Sequence, residues 1–311
     1  MSWFKNPFGA RDNTPQDSDE SAGSAASLPA GPERFMPSGV QTGYRAVRTL
    51  FDQAPGSRRI YRTGVGVSLT SQEEADRLAG ENARRNLAGA LAGDKSPPDS
   101  YAYAADRLSE PLIEVISSPG GSSEAARITV NAYGALVMNA PSAMFLDVDL
   151  HPDDGYKPPK PDPAVEERAF AALRNLVSSL PDLGFRVYQT RAGFRYLCTS
   201  HAFDPASDET RTLMNSLHAD AKYVTLCKVQ RCFRARLTPK PWRTNQRGPS
   251  VSRTDGIPRA ELERYLKRAA GFATARFVDT VGTAGALGAE FAPLIDYHDR
   301  WCQAASTKPL A

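Results

Sequence analysis

Cysteine and histidine are scarce in this chain, four of each in 311 residues. Cys198, Cys227, Cys232 and Cys302 form no Cys-x-x-Cys pair and no regular ladder. That excludes a small disulfide-framed fold and leads us to expect reduced thiols in a cytoplasmic protein. Cys227 and Cys232 with His201 lack the spacing of a zinc site. No apolar run reaches transmembrane length, so no membrane partner is expected. Residues 1–40 are rich in Ser, Ala, Gly, Pro and Asp and hold no apolar block of signal-peptide length. They read as a disordered tail without a secretory signal. The net charge of +3 says little about partners, but its distribution says more. Between Lys222 and Arg247 acidic residues are absent and eight basic ones occur, interleaved with Tyr223, Phe233 and Trp242. Cations mixed with aromatic rings suit phosphate and base contacts, although a charge run is ordinarily a solvated face.

Residues 41–125 read as a mostly helical N-terminal region. Its clearest helix lies in "SLTSQEEADRLAGENARRNLAGALAG", with a cap at Thr70 or Ser71 and Glu73 and Glu74 in the first turn. From about 126 to 247 the pattern changes. "RITVNAYGALVMN" reads as two short strands and "AMFLDVDL" as a third. "DPAVEERAFAALRNLVSSL" is an amphipathic helix, and "FRVYQT" and "RYLCTS" form a hairpin around Arg191-Ala192-Gly193. "SDETRTLMNSLHA" is a helix capped by Ser207, and "AKYVTLCKV" reads as a strand. Starting at the aspartate strand, the order is β-α-β-β-α-β. The expected fold class is therefore α+β, with an RRM-like (ferredoxin-like) sheet core and helical additions at both ends. Residues 248–311 form the C-terminal region, with helices expected at "RAELERYLKRAAGFATARFVDTV" and "FAPLIDYHDRWCQA".

The chemistry concentrates on "AMFLDVDL". Asp147 and Asp149 stand at i and i+2 of a strand, so both carboxylates share one face and repel. A cation or a cationic side chain between them relieves that repulsion. The expected topology brings the hairpin and Asp220 to the same surface. Three carboxylates in one cleft are the donor set of a hard cation, Mg²⁺ or Mn²⁺, serving phosphoryl transfer. Arg191 and Arg195 on the hairpin, Arg234 and Arg236 at i and i+2, and Lys240 beyond them supply phosphate-binding cations.

On these residues the region 126–247 resembles the archaeo-eukaryotic primase (primase-polymerase) superfamily. Leu146-Asp147-Val148-Asp149 is similar to the hydrophobic-Asp-hydrophobic-Asp motif. Thr190-Arg191-Ala192-Gly193-Phe194-Arg195 is similar to the second-motif strand turn, and Asp220 followed by "LCKVQRCFRARLTPKPWR" to the third. The resemblance implies a nucleotidyltransferase with Asp147, Asp149 and Asp220 holding metal, and Arg191, Arg195 and the later basic residues contacting nucleotide. Its partners would be a nucleoside triphosphate and single-stranded or primed nucleic acid. Arg195 departs from the family, which has histidine there, and the third segment lacks the Pro-Gly-Asn part. An arginine still binds phosphate but does not titrate as histidine does.

Two other readings compete. A non-catalytic RRM-like module would bind single strands on Tyr188, Phe194, Tyr196 and Tyr223. A glycosyltransferase-like use of Asp-x-Asp would need parallel strand–helix units upstream, which 41–125 does not show. His298 in "LIDYHDRW" is expected in a surface salt bridge with Asp296 or Asp299. "GTAGALG" at 282–288 lacks the Lys-Ser/Thr of a phosphate loop, and the spacing of Arg127 and Asn139 assigns them no role.

Overall fold

A computed structural model describes residues 26–36, 44–53, 59–68, 70–92, 110–121, 123–151, 159–252, 255–283 and 289–311. Among these, no helix is long and apolar enough to cross a membrane. The expected disordered tail lies largely outside the described residues, as does most of "GTAGALG". Where the tail is described it is not free. Arg34–Phe35 (β1) pairs antiparallel with Ile257–Pro258 (β11), and the Phe35 ring is buried in the core.

The fold is α+β, with two four-stranded antiparallel sheets. The first has the order β10-β6-β5-β4, from Leu112–Ser117 (β4), Glu124–Val130 (β5), Leu136–Ala140 (β6) and Phe233–Arg236 (β10). The second has the order β12-β8-β9-β7, from Phe145–Asp149 (β7), Gly184–Gln189 (β8), Gly193–Cys198 (β9) and Arg276–Gly282 (β12). One core of aliphatic and aromatic side chains joins them, including Ile128, Met138, Phe145, Leu146, Phe185 and Phe233.

Three expectations are corrected here. The N-terminal region is not mostly helical. Tyr44–Asp52 (β2) and Ile60–Ser68 (β3) form a hairpin, and among the described residues of this region only Gln72–Leu91 (α1), capped by Ser71, is helix. The stretch "AKYVTLCKV" is not a strand but the helix Ala221–Gln230 (α4). The Asp220 carboxylate accepts the Tyr223 amide at 2.7 Å and caps it, while Tyr223, Val224, Leu226 and Cys227 bury one face. Its β-branched and aromatic content suggested a strand, but the cap and the buried face override that propensity. The fourth strand comes only afterwards, as β10, and pairs with β6 of the other sheet. Finally, the long C-terminal helix stops early. Arg259–Ala269 (α5) ends, and β12 then adds an edge to β8. Pro163–Ser179 (α2), Asp208–Ser216 (α3) and Ala292–Cys302 (α6) lie where the sequence places them.

The β2–β3 hairpin holds α1 by backbone proximity rather than by large side chains. Gly64 and Gly66 face Ala75, Ala79 and Ala83, all fully buried. A Cβ at Gly64 would stand 2.1 Å from the Ala83 amide nitrogen, and one at Gly66 would stand 1.9 Å from the Ala75 carbonyl oxygen. Gly64→Ala should therefore cost this unit about 1–3 kcal/mol through overpacking. Hydrogen exchange should report lost protection over residues 44–91 with protection in β5 to β9 retained. Equal loss everywhere would show that the hairpin is not a separable cooperative unit.

Candidate functional site: a charged seam between two sheets

The two sheets meet where β7 runs beside β10. The Tyr223 hydroxyl ties them, lying 2.9 Å from the carbonyls of both Phe145 and Arg234. The Asp220 amide donates to the Asp147 carbonyl at 3.2 Å, which sets α4 against the aspartate strand. Asp147 and Asp149 project from one face of β7, opposite Arg195 and Gly193 of β9 in the ladder. Gly193 permits that approach, since a Cβ there would lie 2.1 Å from the Val148 carbonyl oxygen. Asp220 thus lies against Asp147 and its charge reaches Asp149, although it arrives at a helix cap rather than at the start of the expected strand.

The surprise lies in how the charges pair. Arg195 Nε donates to Asp147 Oδ1 at 2.7 Å and Nη2 donates to Oδ2 at 3.1 Å, a bidentate clamp. Arg195 Nη1 donates to the Arg236 carbonyl at 2.9 Å and faces His298 Nε2 at 3.3 Å. Only 1% of the Arg195 side chain is exposed. Its donors are spent inside the protein, so Arg195 holds a carboxylate rather than presenting itself to nucleotide. This corrects the expectation of a phosphate-contacting residue.

Behind Arg195 the chain of charges continues. His298 Nδ1 lies 3.0 Å from Asp299 Oδ1. That contact assigns the proton to Nδ1 and leaves Nε2 to accept from Arg195 and from the Cys302 thiol, 3.5 Å away. Asp299 also accepts from the Tyr188 hydroxyl at 2.7 Å and from Arg186 at 2.6 Å. His298 is thus not a surface salt bridge but a fully buried ring among Phe145 and Tyr188, although its pairing with Asp299 stands. Cys302, His298 and Asp299 follow one another in the manner of a nucleophilic triad. Burial, however, pushes the thiol up to about 12 and gives it no route to solvent, so we read it as packing.

The electrostatics divide the two aspartates. Burial alone would raise Asp147, but the Arg195 guanidinium outweighs it and holds the carboxyl below the usual range. Asp149 is raised, first by lost hydration and then by Asp147, with Asp220 adding to the repulsion. Arg236 and Arg243 act on Asp149 in the opposite direction. Burial lowers Arg236 to about 10, assisted by the nearby Arg243 and Arg195. Its Nε is buried without a hydrogen-bond partner among the described residues. Cations crowd cations, and carboxylates crowd carboxylates.

The remaining expected site residues scatter. Arg234 does not reach the seam: its Nη2 donates to both Glu110 oxygens at 2.8 Å and its Nη1 to Gln230 at 2.6 Å. Arg191 is buried at the β8–β9 turn. Lys240 lies with its ammonium 5.2 Å from the Trp242 ring centre. Arg243 entered the sequence reading only as part of the basic run, and His298 with Asp299 only as a surface pair; no local pattern marks their place at the seam. Asn139 spends its amide on Arg127 O and Thr129 Oγ1 within the first sheet.

Among the described residues, no three of His, Cys, Asp and Glu stand as a ready cage for a metal ion. The seam does offer two carboxylates on one strand face. That is the number Mg²⁺ takes when substrate phosphates complete its shell, so the donor set fits an ion arriving with a nucleotide. Comparison of the chain with protein-family models, curated proteins and solved structures finds no match.

Two variants should separate the aspartates. Asp147→Asn strands a buried guanidinium and should lower stability by about 3 kcal/mol in urea melts. Asp149→Asn removes a repelled carboxylate and should leave the midpoint unchanged or raise it. Equal destabilisation in both would contradict the pairing described. Stability should also fall as pH drops below about 6.5, the ordinary histidine value. Burial lowers the His298 pKa, so the unfolded chain binds the proton first and unfolding gains from acid. His298→Gln should flatten that limb of the melting-point profile.

Proposed function

We propose that the seam binds the triphosphate of a nucleotide and serves nucleotidyl transfer of the primase-polymerase type. The observation that carries this reading is the adjacency of repelling carboxylates, Asp147, Asp149 and Asp220, to the cations Arg236 and Arg243. A metal-bound triphosphate satisfies both sets at once, because the ion needs the acids and the phosphates need the guanidiniums.

Asp147 and Asp149 would hold Mg²⁺ or Mn²⁺, with Asp220 beside them. When bound, the ion neutralises phosphate charge and orients the attacking hydroxyl. Arg195 fixes the Asp147 rotamer through two hydrogen bonds, so that carboxylate is presented in one orientation. His298, held by Asp299, in turn fixes Arg195. Arg236 is the group best suited to a phosphate oxygen, since its Nε lacks a partner among the described residues. The bond formed would join a 3′-oxygen to the α-phosphorus, and the bond broken would release pyrophosphate. An RRM-like arrangement belongs to this reading through the order of β7, α2, β8, β9, α3, α4 and β10, with two helices instead of one before the fourth strand and that strand lodged in the neighbouring sheet.

The competing aromatic-platform reading loses its rings. Tyr188, Phe194, Tyr196 and Tyr223 are all buried, Tyr188 and Tyr196 completely. None offers a face on which a base would stack.

Calorimetric titration with a nucleoside triphosphate, in Mn²⁺ and then in EDTA, tests the proposal. Metal-dependent binding is expected, weakened at least tenfold by Asp149→Asn and by Arg236→Met. Asp149→Asn is the cleaner probe, because Asp147→Asn also unpairs Arg195. Absence of binding in both conditions, or binding indifferent to both variants, would overturn the assignment.

A further inference from the structure

A second basic feature lies outside the seam. The segment 246–250 and one face of α5 enclose an open cleft of about 480 Å³. Arg247, Ser250, Glu261, Arg264, Tyr265 and Arg268 line it. Glu261, Arg264, Tyr265 and Arg268 recur at i, i+3, i+4 and i+7, so they share one helical face. Glu261 does not cancel the arginines freely, because it accepts the Ser250 amide at 2.6 Å and pins the segment. Arg264 and Arg268 each use Nε within the protein, on the Ala260 carbonyl and on Gln246. The Tyr265 ring forms a buried floor, its hydroxyl 2.5 Å from the Pro239 carbonyl.

The opposite wall is seated by close backbone packing. A Cβ on Gly134 would stand 2.2 Å from Pro249 Cδ, and one on Gly248 would stand 2.5 Å from the Tyr133 carbonyl oxygen. The cleft also adjoins the seam. Tyr265 feels the charges of both Arg236 and Arg268, and Arg236 feels that of Arg243. Near the cleft, Trp242 stands edge-on to Tyr133 at 5.0 Å, with the Lys240 ammonium over its ring. Arg247, Arg264 and Arg268 therefore set three exposed cations around one cleft.

We propose that this cleft binds the phosphodiester backbone of a single-stranded nucleic acid whose end reaches the seam; the inference rests on the nucleotide reading of that seam. Arg264 and Arg268 are one helical turn apart, with Cβ atoms about 6 Å from each other. That separation is of the order of neighbouring phosphates in an extended strand. Three arginines around one cleft suit successive phosphates of a polymer better than one free anion, and sequence preference is expected to be weak because backbone contacts carry no base readout.

The test is fluorescence anisotropy with a fluorescein-labelled oligothymidylate of about sixteen nucleotides, in EDTA. Binding is expected without metal, falling steeply with salt. Arg264→Ala/Arg268→Ala should weaken it at least tenfold and make the log–log salt slope shallower by about 1.4, two phosphate contacts' worth. Its melting temperature should match that of the parent, since both side chains are exposed. Asp149→Asn should bind the oligonucleotide as the parent does. Unchanged affinity in the double variant, or no binding at low salt, would refute the proposal. Displacement by inorganic triphosphate as effective as by unlabelled oligonucleotide, at equal phosphate, would replace it with a free-polyphosphate site. Loss of oligonucleotide binding in the double variant alongside failed Mn²⁺–nucleotide calorimetry would retain the cleft and remove only the seam assignment.

Discussion

Asp147 and Arg195 face each other across a β-ladder, and much of the molecule is arranged around that one ion pair. A guanidinium with 1% exposure survives only if every donor is satisfied. Its carboxylate comes from β7, its carbonyl acceptor from β10 and its imidazole from α6. Those elements belong to three distant parts of the chain, and the pair fixes them to one another. Removing either partner costs more than the pair contributes, because the remaining charge cannot regain its water. The pair is therefore better understood as a device of register and orientation than as a source of net stability.

From this pair the division of labour between the two aspartates follows. Asp147 is compensated from within, and Asp149 is not. A strand that carries both presents one acid clamped by a guanidinium and one whose pKa is raised by burial and its neighbours, beside Arg236, which burial and Arg243 lower. A metal-bound phosphate would relieve the like-charge crowding on both sides. The buried relay from Arg195 through His298 to Asp299, Tyr188 and Arg186 serves that surface by keeping it rigid. The exposed cleft beside α5 has different physics. Its arginines keep their hydration and would gain by releasing counterions from a polyanion.

The N-terminal hairpin shows the opposite way of building a contact. Where the seam relies on strong, directional pairs, β3 and α1 meet through glycine and alanine with almost no side chain between them. Asn82 and Asn86 add hydrogen bonds to the Val65 and Thr63 carbonyls at 2.8 and 2.9 Å, and Arg48 pairs with Asp76 at the rim. Such a joint tolerates polar sequence on both outer faces, which is why the hairpin's hydrophobic alternation is faint.

The sequence by itself determined the local elements with strong periodicity or capping: α2, α3, the β8–β9 hairpin and the aspartate strand. It also determined that Asp147 and Asp149 share a face, because the strand period is two. Asp220 was legible as a residue of the same surface but not as a helix cap, since the β-branched residues after it speak locally for a strand. Only tertiary structure decided that Arg195 answers Asp147, that Arg234 is diverted to Glu110, and that His298 lies buried beside them. These choices depend on which cation comes within hydrogen-bonding distance of which carboxylate after the sheets close, and spacing along the chain carries no record of it. The pairing of β10 with β6 rather than β7 has the same origin. Strand partners are selected by the burial of whole sheet faces, a property of the assembled core and not of any segment read alone.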